Sequence, residues 1–232
     1  MSVPNAITPI YPAPEYREGD VFFCSYPKSG RTWVKQFLAQ YMSELFSLGY
    51  RKDYDLMSLM AIVPSEWKLA AFPTPFPYGP EVPRVRFSHT LFDDRYVDMP
   101  VIRLKRGIED TLVSYYYHTP KDVKIGPWAR SMVHEVIYYY KNWDANWSRV
   151  GRGMTLSYED LWEDAKGSFH AILDFIGLPF DSKHFYAALE RASFDQMQKE
   201  DKGIRVRRGV VGGYKDELSP EDIAFIQERI NG

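Results

Sequence analysis

The sequence predicts one α/β domain whose core is a central parallel sheet flanked by helices. Two observations predict it. Short apolar runs suited to buried strands alternate with longer stretches of helical periodicity, the pattern of strand–helix–strand units. The 232 residues also show no composition break, and hydrophobic (45%) and charged (26%) shares are ordinary for a globular chain.

Residues 1–19 carry Pro4, Pro9, Pro12 and Pro14 and read as an extended N-terminal arm. Val21–Ser25 is a strand-length apolar run. From Arg31 to Leu48 the apolar residues Val34, Phe37, Leu38, Tyr41, Leu45 and Leu48 recur at helical spacing. The stretch Phe72–Pro83 is punctuated by prolines and is expected to be a loop. Arg84–Ser88 and Pro100–Leu104 read as strands, Ile108–His118 and residues 127–150 as helices. Met154–Ser157 is a further strand, followed by a helix over Glu159–Ile176 that Gly177 and Pro179 close. A helix is expected at Asp181–Arg191, then a short segment Ser193–Gln198 and a basic, glycine-containing flap over residues 199–215. Ser219-Pro220 opens the last helix as N-cap and first-turn proline.

Net charge is −2, from 29 basic and 31 acidic residues, so no general attraction for nucleic acid or an anionic membrane is expected. Any anion site must be local. Cys24 is the single cysteine, which excludes an intrachain disulfide and a thiolate zinc site. The N-terminus lacks a basic and apolar leader pattern, and no run reaches the roughly 18 apolar residues of a membrane span. A soluble, cytoplasmic chain is expected.

The first strand runs into Tyr-Pro-Lys-Ser-Gly-Arg-Thr-Trp, residues 26–33, at the mouth of a helix. A helix start offers free N–H groups and the positive end of a dipole to a phosphate or sulfate oxygen. The dipole contributes only about 0.3–1 kcal/mol, so Lys28, Ser29 and Thr32 must add charge and hydroxyl donors while Gly30 permits close approach. An ordinary capped helix with solvated charges is the plainer alternative. The loop is P-loop-like but not a nucleotide-triphosphate loop, because the lysine precedes the glycine and position 25 is serine. Two further segments invite an anion: Arg106 with Ser114 after the third strand, and Arg205, Arg207, Arg208 and Lys215 among Gly209, Gly212 and Gly213. The plainer alternatives are a surface cation at Arg106, a helix-packing role for Ser114 and a solvated basic loop for the late stretch.

In order, YPKSGRTW, KRGIEDTLVSYYYH and VRRGVVGGYK closely resemble the nucleotide-binding motifs of the cytosolic-type sulfotransferases, over about Asp20 to Lys215. The resemblance implies a P-loop-kinase-like fold. It also implies transfer of a sulfuryl group from 3′-phosphoadenosine-5′-phosphosulfate (PAPS) to a hydroxyl or amine of a small acceptor, without a metal, leaving adenosine 3′,5′-bisphosphate (PAP). Carried onto this sequence, Lys28, Ser29, Gly30, Arg31 and Thr32 hold the 5′-phosphosulfate and Trp33 stacks on adenine. Arg106 and Ser114 bind the 3′-phosphate, over which Arg207, Arg208 and Gly209 close. Tyr158, Phe194 and Met197 flank the base. His89, in FSHTLF, takes the position of the family's general base, with Lys28 at the leaving oxygen and Ser114 restraining Lys28. The other histidines are expected in ordinary helical roles.

The sequence also departs from the family pattern. Arg31 replaces a common threonine, and Phe87 stands two residues before His89 where many relatives carry a lysine that contacts the sulfuryl group. Arg31 could supply that charge. Ser219-Pro220 and Ala224 depart from the C-terminal dimer motif of the animal enzymes, which leaves the oligomeric state open, and Gly213 and Tyr214 replace a common Asp-Trp pair. Phe72–Pro83, Phe92–Tyr96 and the aromatic stretch Tyr138–Trp147 either line an acceptor pocket or pack the core. A kinase-like phosphotransferase and a catalytically silent nucleotide-binding module remain the alternatives.

Overall fold

A computed structural model describes residues 16–48, 61–66, 78–118, 122–201 and 207–232. Strands β1 (Val21–Ser25), β2 (Val85–Ser88), β3 (Pro100–Lys105) and β4 (Arg152–Ser157) form one sheet in the order β2-β1-β3-β4. Every pairing is parallel; Cys24 lies beside Ser88 on one side and Arg103 on the other. Parallel strands need covered faces, and the period-two alternation of β1 provides for both. Val21 and Phe23 join a core with α1 (Arg31–Phe46), α5 (Ala165–Ile176) and α6 (Ser182–Arg191). Phe22 and Cys24 point the other way, into a core with α2 (Ile108–Tyr116), α3 (Ile125–Asn146) and α8 (Pro220–Asn231). Among the described residues, no helix is long and apolar enough to cross a membrane.

Buried charge fixes the outer corner of this sheet. Asp20, fully buried ahead of β1, accepts from Arg84 at 2.6 Å and Arg86 at 3.2 Å, and Arg86 donates to Glu66 at 2.5 Å. Removing one partner would leave a buried charge uncompensated, so β1 and β2 are locked at their amino ends while their carboxyl ends remain open.

Several boundaries differ from those the sequence suggests. The third helix begins at Ile125 and gives way to a tight turn at Trp147–Arg149, short of residue 150. The helix expected over Glu159–Ile176 is two, α4 (Tyr158–Glu163) and α5, because Asp164 leaves helical geometry and caps the second by accepting from the Gly167 amide at 2.8 Å. The segment after Ala192 is itself helical, as α7 (Phe194–Asp201). At Gly177 the φ of +83° closes α5, with the Leu178 amide reaching back to the Leu173 carbonyl at 3.0 Å. Residues 1–15 of the arm, 72–77 of the proline-rich loop, and 202–206 of the flap, Arg205 included, lie outside the described residues.

Candidate active site

In an open parallel sheet, ligands settle beyond the carboxyl ends of the strands, where the chain changes direction. All four strands deliver a residue there. The Lys28 loop leaves β1, His89 follows β2, Arg106 follows β3, and Tyr158 begins the helix after β4. They border one cleft of about 820 Å³, closed on its far side by Phe194 and Met197 of the α7 region and by Arg207, Arg208 and Gly209 of the flap.

The loop is shaped by two left-handed residues, Lys28 at φ +69° and Gly30 at φ +97°. Gly30 is required twice over. It tolerates that φ, and a Cβ there would lie 2.5 Å from the Tyr158 ring. Tyr158 therefore packs flush against the loop, and the Arg106 guanidinium covers its ring at 4.1 Å. Gly209 repeats the device at φ +62°, where a Cβ would meet the Phe194 ring at 2.2 Å. Trp33 is held edge-on by Tyr158 and Phe169, with centroids 6.1 and 5.7 Å away. Thr32 and Ser114 also border the cleft. The Ser29 side chain does not. It is fully buried, with Oγ 3.4 Å from the Tyr140 hydroxyl, so the hydroxyl donor expected at Ser29 is turned away from the cleft.

Arg106 ties three parts together. Its Nη1 donates to the Lys28 carbonyl at 3.0 Å and its Nη2 to the Val210 carbonyl at 3.4 Å, while its buried Nε has no partner among the described residues. The flap is anchored to α2 by Asp110, whose carboxylate accepts the Gly212 amide at 2.6 Å and the Tyr214 amide at 3.0 Å. The flap arginines are engaged by neighbouring carboxylates. Arg207 lies 2.6 Å from Glu217, and Arg208 lies 2.6 Å from Asp216 and 3.3 Å from Glu217.

At the opposite end, His89 Nδ1–H donates to the Ser25 carbonyl at 2.6 Å. A carbonyl can only accept, so the neutral ring keeps its lone pair on Nε2. Burial, and then the positive charges of Arg31 and Lys35, hold the His89 imidazolium well below the usual histidine value, against the opposing hydrogen bond to Ser25. Arg31 is itself pushed down to about 10 by burial, still charged near neutrality, and its buried Nη1 has no partner among the described residues.

Sequence reasoning missed several lining groups, Lys35, Asp110 and His118 among them. Lys35 follows Arg31 by one helical turn, and that spacing was the available signal. It is only 7% exposed and donates to the Val63 carbonyl at 3.1 Å and to Ser65 Oγ, with its ammonium 4.6 Å above the Phe87 ring. Asp110 gave no signal, because its partners are amides about a hundred residues away. His118, read as an ordinary helix end, borders the cleft. Of the aromatic segments read as either acceptor pocket or core, residues 72–77 lie outside the described residues, and the described aromatic side chains of Phe92–Tyr96 and Tyr139–Trp143 pack mainly as core. Phe92, Tyr96 and Trp143 pack within 6.0 Å of one another, Tyr139 and Tyr140 are buried, and Tyr138 faces solvent.

A family model described as a sulfotransferase domain matches residues 79–231. Bovine sulfotransferase 1A1 is 28% identical over 84% of this chain and 77% of its own length. Rabbit amine sulfotransferase is 23% identical over 89% and 78%. Among solved structures, retinol dehydratase in complex with androsterone and the inactive cofactor PAP superposes with a TM-score of 0.69 at 19% identity, covering 94% of this chain and 81% of that one. Mouse sulfotransferase SULT7A1 complexed with PAP gives 0.66 at 18% identity, covering 92% and 83%. At such identities these structures establish the shared fold.

Proposed function

The chain belongs to the sulfotransferase family, and on that premise we propose that it moves the sulfuryl group of PAPS to a hydroxyl or amine of a small acceptor, with His89 as general base. The observation that carries the reading is His89 in the same cleft as the Lys28 loop, with Nδ1–H fixed on Ser25 and Nε2 left to accept a proton.

The cleft fits the nucleotide. Gly30 and Gly209 let the Tyr158 and Phe194 rings pack flush against the loop and the flap, Arg106 Nε is buried without a partner among the described residues, and aromatic residues border the cleft beside the cationic loop and flap. Lys28 and the amides opening α1 hold the 5′ end, Arg106 with Arg207 and Arg208 the 3′-phosphate, and Trp33, Phe194 and Met197 the base. When bound, PAPS supplies the sulfuryl group and a leaving phosphate.

The chain does the rest. His89 Nε2 accepts the acceptor's proton as the new bond forms. Lys28 and the loop amides offer donors where negative charge grows on the departing oxygen, stabilising the transition state more than the ground state. Ser114, on the same cleft, restrains Lys28 until the acceptor arrives. The single domain, with the flap as its nucleotide cover, belongs to the same reading. A kinase-like alternative would need an open carboxylate for magnesium, and the Asp110 oxygens are engaged by flap amides.

The test is a thermal-shift series with PAP, ADP, AMP and ATP–magnesium, followed by acceptor screening with PAPS for a mass gain of one SO₃. Ligand at about 100 times its Kd stabilises by about 2.7 kcal/mol, a shift of roughly 2–4 °C per kcal/mol for this size. A shift confined to PAP supports the reading. A shift with ATP–magnesium and none with PAP overturns it.

A further inference from the structure

The donor's groups, as read above, occupy the cleft from β1 across β3 and β4 to the flap, leaving the β2 side for the acceptor. That side is cationic. Arg31 and Lys35 stand one turn apart on α1, and both border the cleft with Ser65 and His89. Among the described residues, Asp110 is the only acidic group bordering the cleft, and its oxygens serve the flap. No described carboxylate pairs with Arg31, whose Nη1 is buried and unpartnered. A guanidinium nitrogen buried without a counter-charge is costly, and a bound anion relieves that cost with charge-assisted hydrogen bonds from the guanidinium. Lys35 is braced by Val63 and Ser65, beside the outer edge of β2. The positive field thus extends along α1, away from the Lys28 loop and towards the acceptor side.

We propose that the acceptor carries an anionic group near its reacting hydroxyl or amine, and that the Arg31 side chain, supported by the charge of Lys35, receives it. The main-chain amide of Arg31 stays with the donor loop; only its side chain is assigned to the acceptor. The hydroxyl is placed within reach of His89 Nε2 and the anion within reach of the Arg31 guanidinium. Lys35 acts as a positioning residue whose charge adds to the field. The assignment rests on the sulfotransferase reading, and its test is separable from it.

The experiment compares paired acceptors that differ by one carboxylate, 4-hydroxyphenylacetate against 4-methylphenol and 4-hydroxybenzoate against phenol, at saturating PAPS. It is paired with calorimetry of the same compounds on the PAP-bound chain. The expected result is that acids exceed their neutral partners at least ~10-fold in kcat/KM or in affinity, the scale of one charge-assisted contact. Arg31→Gln should abolish that preference while PAP affinity and the PAPS KM stay within about twofold, and Arg31→Lys should restore part of it. Neutral partners binding as well as the acids in every pair would overturn the proposal, whether or not turnover is seen. So would an Arg31→Gln variant that slows acids and neutral compounds alike and raises the PAPS KM, which would assign the side chain to the donor's sulfuryl group. Failure of PAP to bind would instead count against the donor reading.

Discussion

The two ends of the cleft treat positive charge in opposite ways. At the flap end, Arg207 and Arg208 are satisfied by Glu217 and Asp216, and Arg106 donates to the carbonyls of Lys28 and Val210. At the His89 end, Arg31 keeps an unpartnered buried Nη1 and lends its charge to the field on the imidazole. Internal carboxylates keep the flap end stable without ligand, and a phosphate there must displace them. The His89 end is left polarised for use. It keeps its histidine neutral, so no proton need be removed before the ring can act as a base. On the proposed function, occupancy is thus controlled at one end and reactivity at the other.

Substitutions can break this division. His89→Ala should lower kcat by ~10²–10⁴-fold, the usual worth of a general base, while the PAP-induced thermal shift persists. A variant that loses PAP binding as well would mean the ends are not separate. Arg106→Ala should do the reverse, weakening PAP by roughly tenfold to a hundredfold, the worth of charged hydrogen bonds of about 1.5–3 kcal/mol. Calorimetry reads that loss directly, and an unchanged Kd would remove Arg106 from the 3′-phosphate site.

A smaller effect is expected in the pH profile. His89 is held below its ordinary value of 6.5, so the neutral, active form persists as pH falls and kcat/KM should fail only well below 6.5. Removing the Arg31 charge relieves repulsion of the imidazolium and raises the His89 value, so the acid limb of Arg31→Gln should move upward. It should stay below 6.5 because burial, the larger cause, remains. A limb that is unmoved or moves downward contradicts the electrostatic account. The smallest effect is expected from Glu217→Gln. Its pairs are partly exposed, with the Arg207 side chain at 33%, and such pairs are worth ~0.2–1 kcal/mol. PAP should bind up to about fivefold tighter once this competitor is neutral. Weaker binding would show that Glu217 aims the arginines instead of competing for them.

How much of this the sequence disclosed depended on where the information lay. The strand–loop–helix at Val21–Phe46, the Gly177 stop and the Ser219-Pro220 start were legible because each is specified within a few neighbouring residues. The break at Asp164 was hidden, since no glycine or proline marks it and an aspartate reads as an ordinary polar position until its carboxylate is seen on the Gly167 amide. At the site, Lys28, His89, Arg106 and the flap arginines were found through ordered motifs. The inward turn of the Ser29 side chain was not legible, because a loop serine can face either way and the packing of Tyr140 decides which. Lys35 was passed over because a lysine within an apolar helix reads as solvated; its burial depends on Ser65, supplied by a distant segment.

The carboxylate of Asp110 has a kinetic consequence. By holding the Gly212 and Tyr214 amides, it keeps the downstream half of the flap fixed to α2, so the described flap opens more readily upstream, about the left-handed Gly209, where side chains alone hold the Arg207 and Val210 carbonyls. Departure of the spent nucleotide would then require a local opening of a few residues and not the detachment of α8. In amide hydrogen exchange, Gly212 and Tyr214 should remain protected under conditions where Arg208 and Gly209 exchange freely. Asp110→Asn, which weakens that attachment, should bring the two sets of rates together and shorten the residence time of the nucleotide.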